Sequence, residues 1–367
     1  MLKRCCTVLV LVLLLAGCAG PKKKLEPVYF PPPPDLPRVQ YLTTFITELD
    51  VLPENKRRLA LALGNTAPMV FKKATDVAFY GHVLYVIDSG IQALWRFDLQ
   101  QRKARVLQGF DSAGGGETFA LQKPVGLTID EQGRKFIADS GLHTVIVLDK
   151  DEKYIRSYSF PEGFRPGGMV AAGGNLWVGD LRHHRIYRID IANGEVLQTF
   201  GTKEGELYWP YSLAFDSAGN LVVSDMGLFK VLKFSPEGKL LGEIGQVGDR
   251  PGQFTRPKGI AVAPDGLLHV VDGGFENVQV FDRNDRLLMY YADAPPPANL
   301  FLPLGIAVSA DVVPDLQEFI APGFKASYVV AVANQFGPSR VSLYAFGVRE
   351  GADYSKYGLS TDKKKPQ

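Results

Sequence analysis

Five carboxylates recur at one place in a repeated pattern: Asp88, Asp139, Asp180, Asp225 and Asp272, with Asn334 in the sixth slot. Carboxylates perform general acid–base work or bind cations, so these are the first candidates for chemistry. Each one ends a β-branched run and precedes a small-residue loop, however, where an Asp caps the following turn through backbone amides. Equivalent positions spread around a ring cannot all be one active site. The expected role is structural.

Histidine offers the next candidates: His82, His143, His183, His184 and His269. A zinc site needs three or four ligands that converge. Only the adjacent His183–His184 pair has a local spacing, and neighbours on a strand point to opposite faces. No nucleophile-plus-base arrangement and no Gly-rich phosphate cradle before a helix is present. The expectation is no metal, no cofactor and no catalytic residue.

What positions these side chains is a repeat. Around Pro257 the chain reads GQFTRPKGIAVAPDGLLHVVDGGFENVQVFD, and around Pro210 it reads GELYWPYSLAFDSAGNLVVSDMGLFKVLKF. Similar copies surround Pro124 and Pro166, a weaker one starts at Lys73, and another starts at Leu302. In each, a proline or its equivalent opens a short apolar strand, a Gly turn follows, then a β-branched strand ending in Asp, then an alternating strand. Short alternating strands between turn clusters, with no helical windows, predict an all-β fold. A period of roughly 40 to 50 residues suits four-stranded propeller blades. Six slots predict a six-bladed β-propeller. The alternating segment 38–49, RVQYLTTFITEL, has no blade of its own and is expected to close the ring against the C-terminal blade, removing an open sheet edge.

These features resemble the NHL-repeat family of six-bladed propellers. The match lies in Gly-x-Phe/Leu-x-x-Pro before the first strand, as in GQFTRP and GELYWP, and in the VVDGGFENVQVF core. It spans roughly residues 70–347, with blades 2, 4 and 5 matching well. Some propellers of this kind are enzymes, amidating lyases and gluconolactonase-like hydrolases, and the resemblance implies that their metals sit in the central channel. Here the residues second after the opening proline or its equivalent read Asp76, Gly126, Gly168, Ser212, Gly259 and Gly305. One carboxylate among glycines is poor material for a cation.

The loops ahead of the first strands carry Phe119, Tyr208, Trp209, Tyr211, Phe254, Arg256 and Phe301 on one end of the ring. Aromatics and Arg make binding hot spots. Phe119, Phe254 and Phe301 follow the repeat and are expected to pack between blades. Trp209 and Tyr211 depart from it and, with Arg256, are candidates for a partner contact. The insertion 311–326, DVVPDLQEFIAPGFKA, breaks the sixth blade and adds Phe319 and Phe324 to that set, either docked on the ring or meeting a partner.

The N-terminal end opens with Lys3 and Arg4 and an apolar run from about Thr7 to Ala16, far short of the roughly 20 residues of a membrane span. Leu15-Ala16-Gly17-Cys18 is similar to the lipobox of bacterial lipoproteins. The resemblance implies cleavage before Cys18 and acylation of its thiol and new amino terminus. With Ala19 next, it favours the outer over the inner membrane of a bacterial envelope. Residues 1–17 are thus read as a signal peptide, 18–37 as the lipidated Cys and a Pro-rich spacer, 38–350 as the propeller and 351–367 as a polar tail. Removing Lys3 and Arg4 from 41 basic residues leaves 39 against 39 acidic, and a neutral exported chain disfavours nucleic acid as a partner. The functional expectation is a monomeric, lipid-anchored, non-catalytic scaffold for an envelope protein or ligand. The alternative is a metal-dependent lyase or lactone hydrolase working in the channel.

Overall fold

The computed structural model describes residues 26–64, 67–116, 118–201 and 203–354. Cys18 and the signal segment lie outside the described residues.

Six sheets stand around a common axis. Their inner strands are Ala74–Tyr80, Pro124–Ile129, Pro166–Ala172, Pro210–Phe215, Pro257–Val262 and Pro303–Ser309. Each inner strand touches the next, and the sixth returns to the first. The second strands are buried on both faces, so they read as continuous apolar runs ended by Asp, as in Leu221–Asp225 and Leu268–Asp272. Blades pack face to face, and each of the six seams holds its own apolar cluster.

Closure follows the expected route. Val39–Phe45 runs antiparallel to Val341–Arg349, in a register from Val39 opposite Phe346 to Phe45 opposite Val341. Tyr29–Phe30, within the stretch read as a spacer, adds a fifth strand outside Val39–Phe45. Phe30 is buried there against Tyr291 and Tyr344. Tyr354, read as tail, is also buried, and its hydroxyl donates to the Pro37 carbonyl at 2.7 Å.

Several elements fall outside the repeat grammar, among them short 3-10 helices at Glu48–Val51 and Pro314–Phe319. A helix, Glu54–Leu63, starts at Pro53 with Glu54 in its first turn, and a small hairpin pairs Gly109–Asp111 with Thr118–Ala120. The helix contradicts the expectation of no helical segment. Its ten residues, ENKRRLALAL, are strong helix formers, but they bury no side chain and show no apolar stripe.

Immediately after its opening residue each inner strand slips register against the second strand, as between Pro257 and Ile260 or Pro166 and Met169. Such a bulge re-aims side chains. Here the first and second residues after the opening position line the channel, Lys258 of blade 5 excepted.

Candidate active site in the central channel

The repeated aspartates are the frame of this site. Asp272 accepts the amides of Thr255 and Arg256 at 2.8 and 3.0 Å, and those of Gly274 and Phe275 in its own turn. Asp88 does the same for Lys72, Lys73 and Gly90, and Asp139 for Gln122, Lys123, Gly141 and Leu142. Asp180 and Asp225 repeat the arrangement. All five are fully buried. The turn-capping role expected from sequence is present. The second half, a clamp on the loop leading into the inner strand, was not anticipated.

Clamped in this way, the inner strands approach one another too closely for side chains. A Cβ on Gly168 would lie 2.4 Å from the Ser212 Cα, and one on Gly305 2.2 Å from an Asp76 carboxylate oxygen. The glycine belt is therefore a packing requirement of the ring. The two polar members of the belt share one task. Asp76 of blade 1 accepts the amide of Leu127 in blade 2 at 2.8 Å, and Ser212 of blade 4 accepts that of Ile260 in blade 5 at 3.2 Å.

The channel encloses about 720 Å³. Asp76 is the one carboxylate among the described residues lining it. Its second oxygen accepts the Val77 amide at 2.9 Å. Desolvation by the crowded strands pushes its pKa up to about 7, against the opposing pull of the two amides. Tyr211 faces the same cavity, and burial together with the Asp76 carboxylate raises its phenol well above the ordinary value. The Lys258 ammonium rests 4.1 Å from the Tyr211 ring centroid. Burial, and then the neighbouring Arg256, draw the Lys258 amine down to about 8. His143 lines the wall as well, with Nδ1 on the Phe164 carbonyl at 2.9 Å. Asp76 and Tyr211 thus share the cavity, with the Lys258 amine against the Tyr211 ring.

The metal expected of the alternative reading is not matched by these residues. Among the described residues no three His, Cys, Asp or Glu side chains converge, and both Asp76 oxygens already accept amides. The histidines are dispersed. His82 meets Asp315 at 2.7 Å, His183 meets Asp180 at 2.6 Å, and His269 lies buried between the Tyr291 and Tyr328 hydroxyls. His183 and His184 occupy a turn rather than a strand, and His184 stacks on Tyr208.

The partner candidates separate. Trp209 stays exposed at 39% beside Tyr208, and Arg256 is exposed at the mouth. Tyr211 turns into the channel. The insertion docks on the ring: Gln40 bonds the Phe319 carbonyl and the Ala321 amide, Arg102 pairs with Glu318, and Phe324 is 6% exposed against Tyr29. Of the residues just before the inner strands, Lys73, Lys123, Arg165, Trp209, Arg256 and Leu302, sequence reasoning singled out Trp209 and Arg256 and missed the other four. The repeat alignment already held that signal, because four of the six are basic.

No family model matches the chain. It is 20% identical over 218 residues to a Caenorhabditis elegans protein named as a probable peptidyl-alpha-hydroxyglycine alpha-amidating lyase, covering 57% of this chain and 59% of that protein. A rat peptidylglycine alpha-amidating monooxygenase is 34% identical over 102 residues, 26% of this chain and 10% of its own length. A mouse NHL repeat-containing protein 3 is 25% identical over 175 residues, 41% of this chain and 49% of its own. The chain thus spans six-tenths of the first relative's length and only a tenth of the second's. Among solved structures, a gluconolactonase from Xanthomonas campestris superposes with a TM-score of 0.55 at 18% identity, over 85% of this chain and 98% of that one. A streptogramin B lyase gives 0.52 at 14%, over 76% and 84%. The expectation of a non-catalytic scaffold, and with it that of a non-enzyme, is corrected by these findings, because the relatives and neighbours are largely named as enzymes. Sequence reading weighed metal ligands, a nucleophile-plus-base pair and a phosphate cradle, and left a lone desolvated carboxylate as a proton-transfer group unconsidered. The blade architecture and the NHL-named relative support an NHL-type family, and the chain is a six-bladed β-propeller.

Proposed function

We propose that the protein is a propeller enzyme of the lyase class whose active site is the central channel. The observation that carries the proposal is Asp76, the channel's one carboxylate among the described residues, poised at a pKa of about 7 beside Tyr211. A lyase needs a base to take a proton and an acid to protonate the departing atom as its bond breaks. A carboxylate of pKa near neutrality is matched to the first role. The Tyr211 hydroxyl, kept protonated by burial on a ring that carries the Lys258 ammonium over its face, serves the second. The lyase names of several relatives support the class. No step is assigned to a metal, since the channel residues do not fit one. The enzyme is further proposed to be held at the bacterial envelope by a lipid on Cys18, the finer part of the sequence reading.

The test is a screen of the purified chain for elimination products from a panel of hydroxy-amide and ester substrates, with Asp76→Asn and Tyr211→Phe alongside. Turnover whose kcat/KM rises through about pH 7 and falls at least about 100-fold in Asp76→Asn is expected. Equal turnover in wild type and Asp76→Asn would sink the assignment. Incorporation of labelled palmitate, lost in Cys18→Ala, tests the anchor.

A further inference from the structure

At the loop-bearing mouth of the channel the residues immediately before the inner strands are Lys73, Lys123, Arg165 and Arg256 in blades 1, 2, 3 and 5. Arg182 joins them from the turn after Asp180, and Lys258 stands one residue inside the mouth. Lys73, Lys123, Arg165 and Arg182 line the same cavity. Among the described residues none of the six cations finds an ion pair or a side-chain hydrogen bond, although Arg102, Arg134, Lys135, Lys233 and Arg286 elsewhere all have carboxylate partners. This is not a run of charge along one segment. The six cations come from four blades, and four are fixed at equivalent points by the same device, their own amides held by Asp88, Asp139, Asp180 and Asp272 at 2.9 to 3.2 Å.

Those aspartates stand behind the cations and weaken their field at a distance. They are fully buried, with their oxygens taken by amides, so they present nothing to a ligand. Facing the cavity are four of these cations, Lys73, Lys123, Arg165 and Arg182, and one carboxylate, Asp76, in a chain that is otherwise close to neutral. Cations gathered around a concave mouth focus their field on the space between them, and solvent reaches four of these, Lys123, Arg165, Arg182 and Arg256. Arg and Lys without internal partners satisfy their donors best on oxyanions.

We infer that the channel mouth is a binding site for a small oxyanion, a molecule carrying carboxylate or phosphate groups, gripped by Lys73, Lys123, Arg165 and Arg182 on one arc and by Arg256 and Lys258 across from it. The equivalent positions in blades 4 and 6, Trp209 and Leu302, carry no charge. This deepens the channel-enzyme reading by naming its substrate class, and it rests on that reading only for turnover. Binding is independent of it.

The experiment is calorimetric titration of the purified full chain with citrate, pyrophosphate and uncharged glucose, at about 50 mM and about 500 mM NaCl. Binding of at least one oxyanion is expected, weakened several-fold by the salt, with none for glucose. Citrate against pyrophosphate distinguishes a carboxylate from a phosphate site. In Lys123→Ala/Arg165→Ala, which removes side chains that hold nothing else, affinity should fall at least about tenfold with the melting temperature unchanged. Unchanged affinity in that variant would overturn the proposal. So would capture by phosphatidylglycerol vesicles without binding of either soluble oxyanion, which would assign the ring to a membrane surface. Oxyanion binding by a protein that turns nothing over keeps the site and removes the lyase reading. Turnover of uncharged substrates alone does the reverse.

Discussion

The Asp76 carboxylate accepts the Leu127 amide across the seam between blades 1 and 2, and Ser212 repeats the same bond to Ile260 between blades 4 and 5. The two residues are equivalent in the repeat, both second after the opening position. One is a strap that cannot titrate; the other is a strap that can. Asp76 therefore links the closure of the ring to the protonation state of the channel.

Close approach of the inner strands makes a sharp prediction at Gly168. An added methyl would meet the Tyr211 carbonyl and Ser212 Cα at 2.5 and 2.4 Å, both backbone atoms that move only with the strand. Gly168→Ala should destabilise the fold by about 1–3 kcal/mol, as overpacking does. Gly242 offers the control, since a Cβ there meets nothing within 4 Å and its strand lies at the outer edge of blade 4. Gly242→Ala should be neutral or slightly stabilising. Chemical denaturation of both variants checks the pair, and equal effects would refute the packing account of the belt.

The clamp predicts a graded response at Asp272. Its carboxylate satisfies four backbone amides and the Thr255 hydroxyl. Asp272→Ala leaves these buried donors without a partner, which should lower stability by more than about 3 kcal/mol. Asp272→Asn keeps one acceptor oxygen, and Asn334 shows that a blade tolerates it: its side chain takes the Phe301 amide and donates to Ser342. The Asn variant should fall between wild type and Ala in a thermal melt. A milder loss for Ala than for Asn would contradict the clamp.

Much of this was legible in the sequence, and the parts that were not share a cause. The blades, their count and the closing strand Val39–Phe45 follow from patterns a repeat displays many times over. The fully buried clamps were half visible, because an Asp after a strand announces its own turn but not the loop sixteen residues earlier that it also holds, as Asp272 holds Arg256. The helix Glu54–Leu63 occurs once and has no apolar stripe to betray it. Asp76 was noticed and set aside as too poor a metal ligand. Its shifted pKa arises from desolvation by strands distant in sequence, which no local motif records. The basic mouth was in plain sight, spread over one residue per blade.

Asp76 and His269 together predict a stability profile that neither shows alone. Asp76 has a pKa raised from 3.8 to about 7 in the fold, so between these values the native state holds a proton that the unfolded chain has released. Its contribution to stability is fully present below about pH 4 and is lost as pH rises toward 7. His269 is drawn down from 6.5 to about 3 by burial between Tyr291 and Tyr328, so the unfolded chain binds a proton there that the native state refuses. Its contribution is present above about pH 6.5 and is lost as pH falls. From about pH 4 to 6.5 the slopes, each about 1.4 kcal/mol per pH unit in magnitude, are opposite and cancel. Asp76→Asn should therefore make stability rise with pH across this window relative to wild type. His269→Gln, which keeps a hydrogen-bonding group for the two tyrosines, should make it fall by a similar slope. The double variant should follow the wild-type slope again at lower overall stability. Urea unfolding of the four proteins at pH 4.5, 5.5 and 6.5 measures all of this. Parallel profiles for all four would mean that neither group titrates out of its ordinary range, and would remove the near-neutral carboxylate on which the channel chemistry depends.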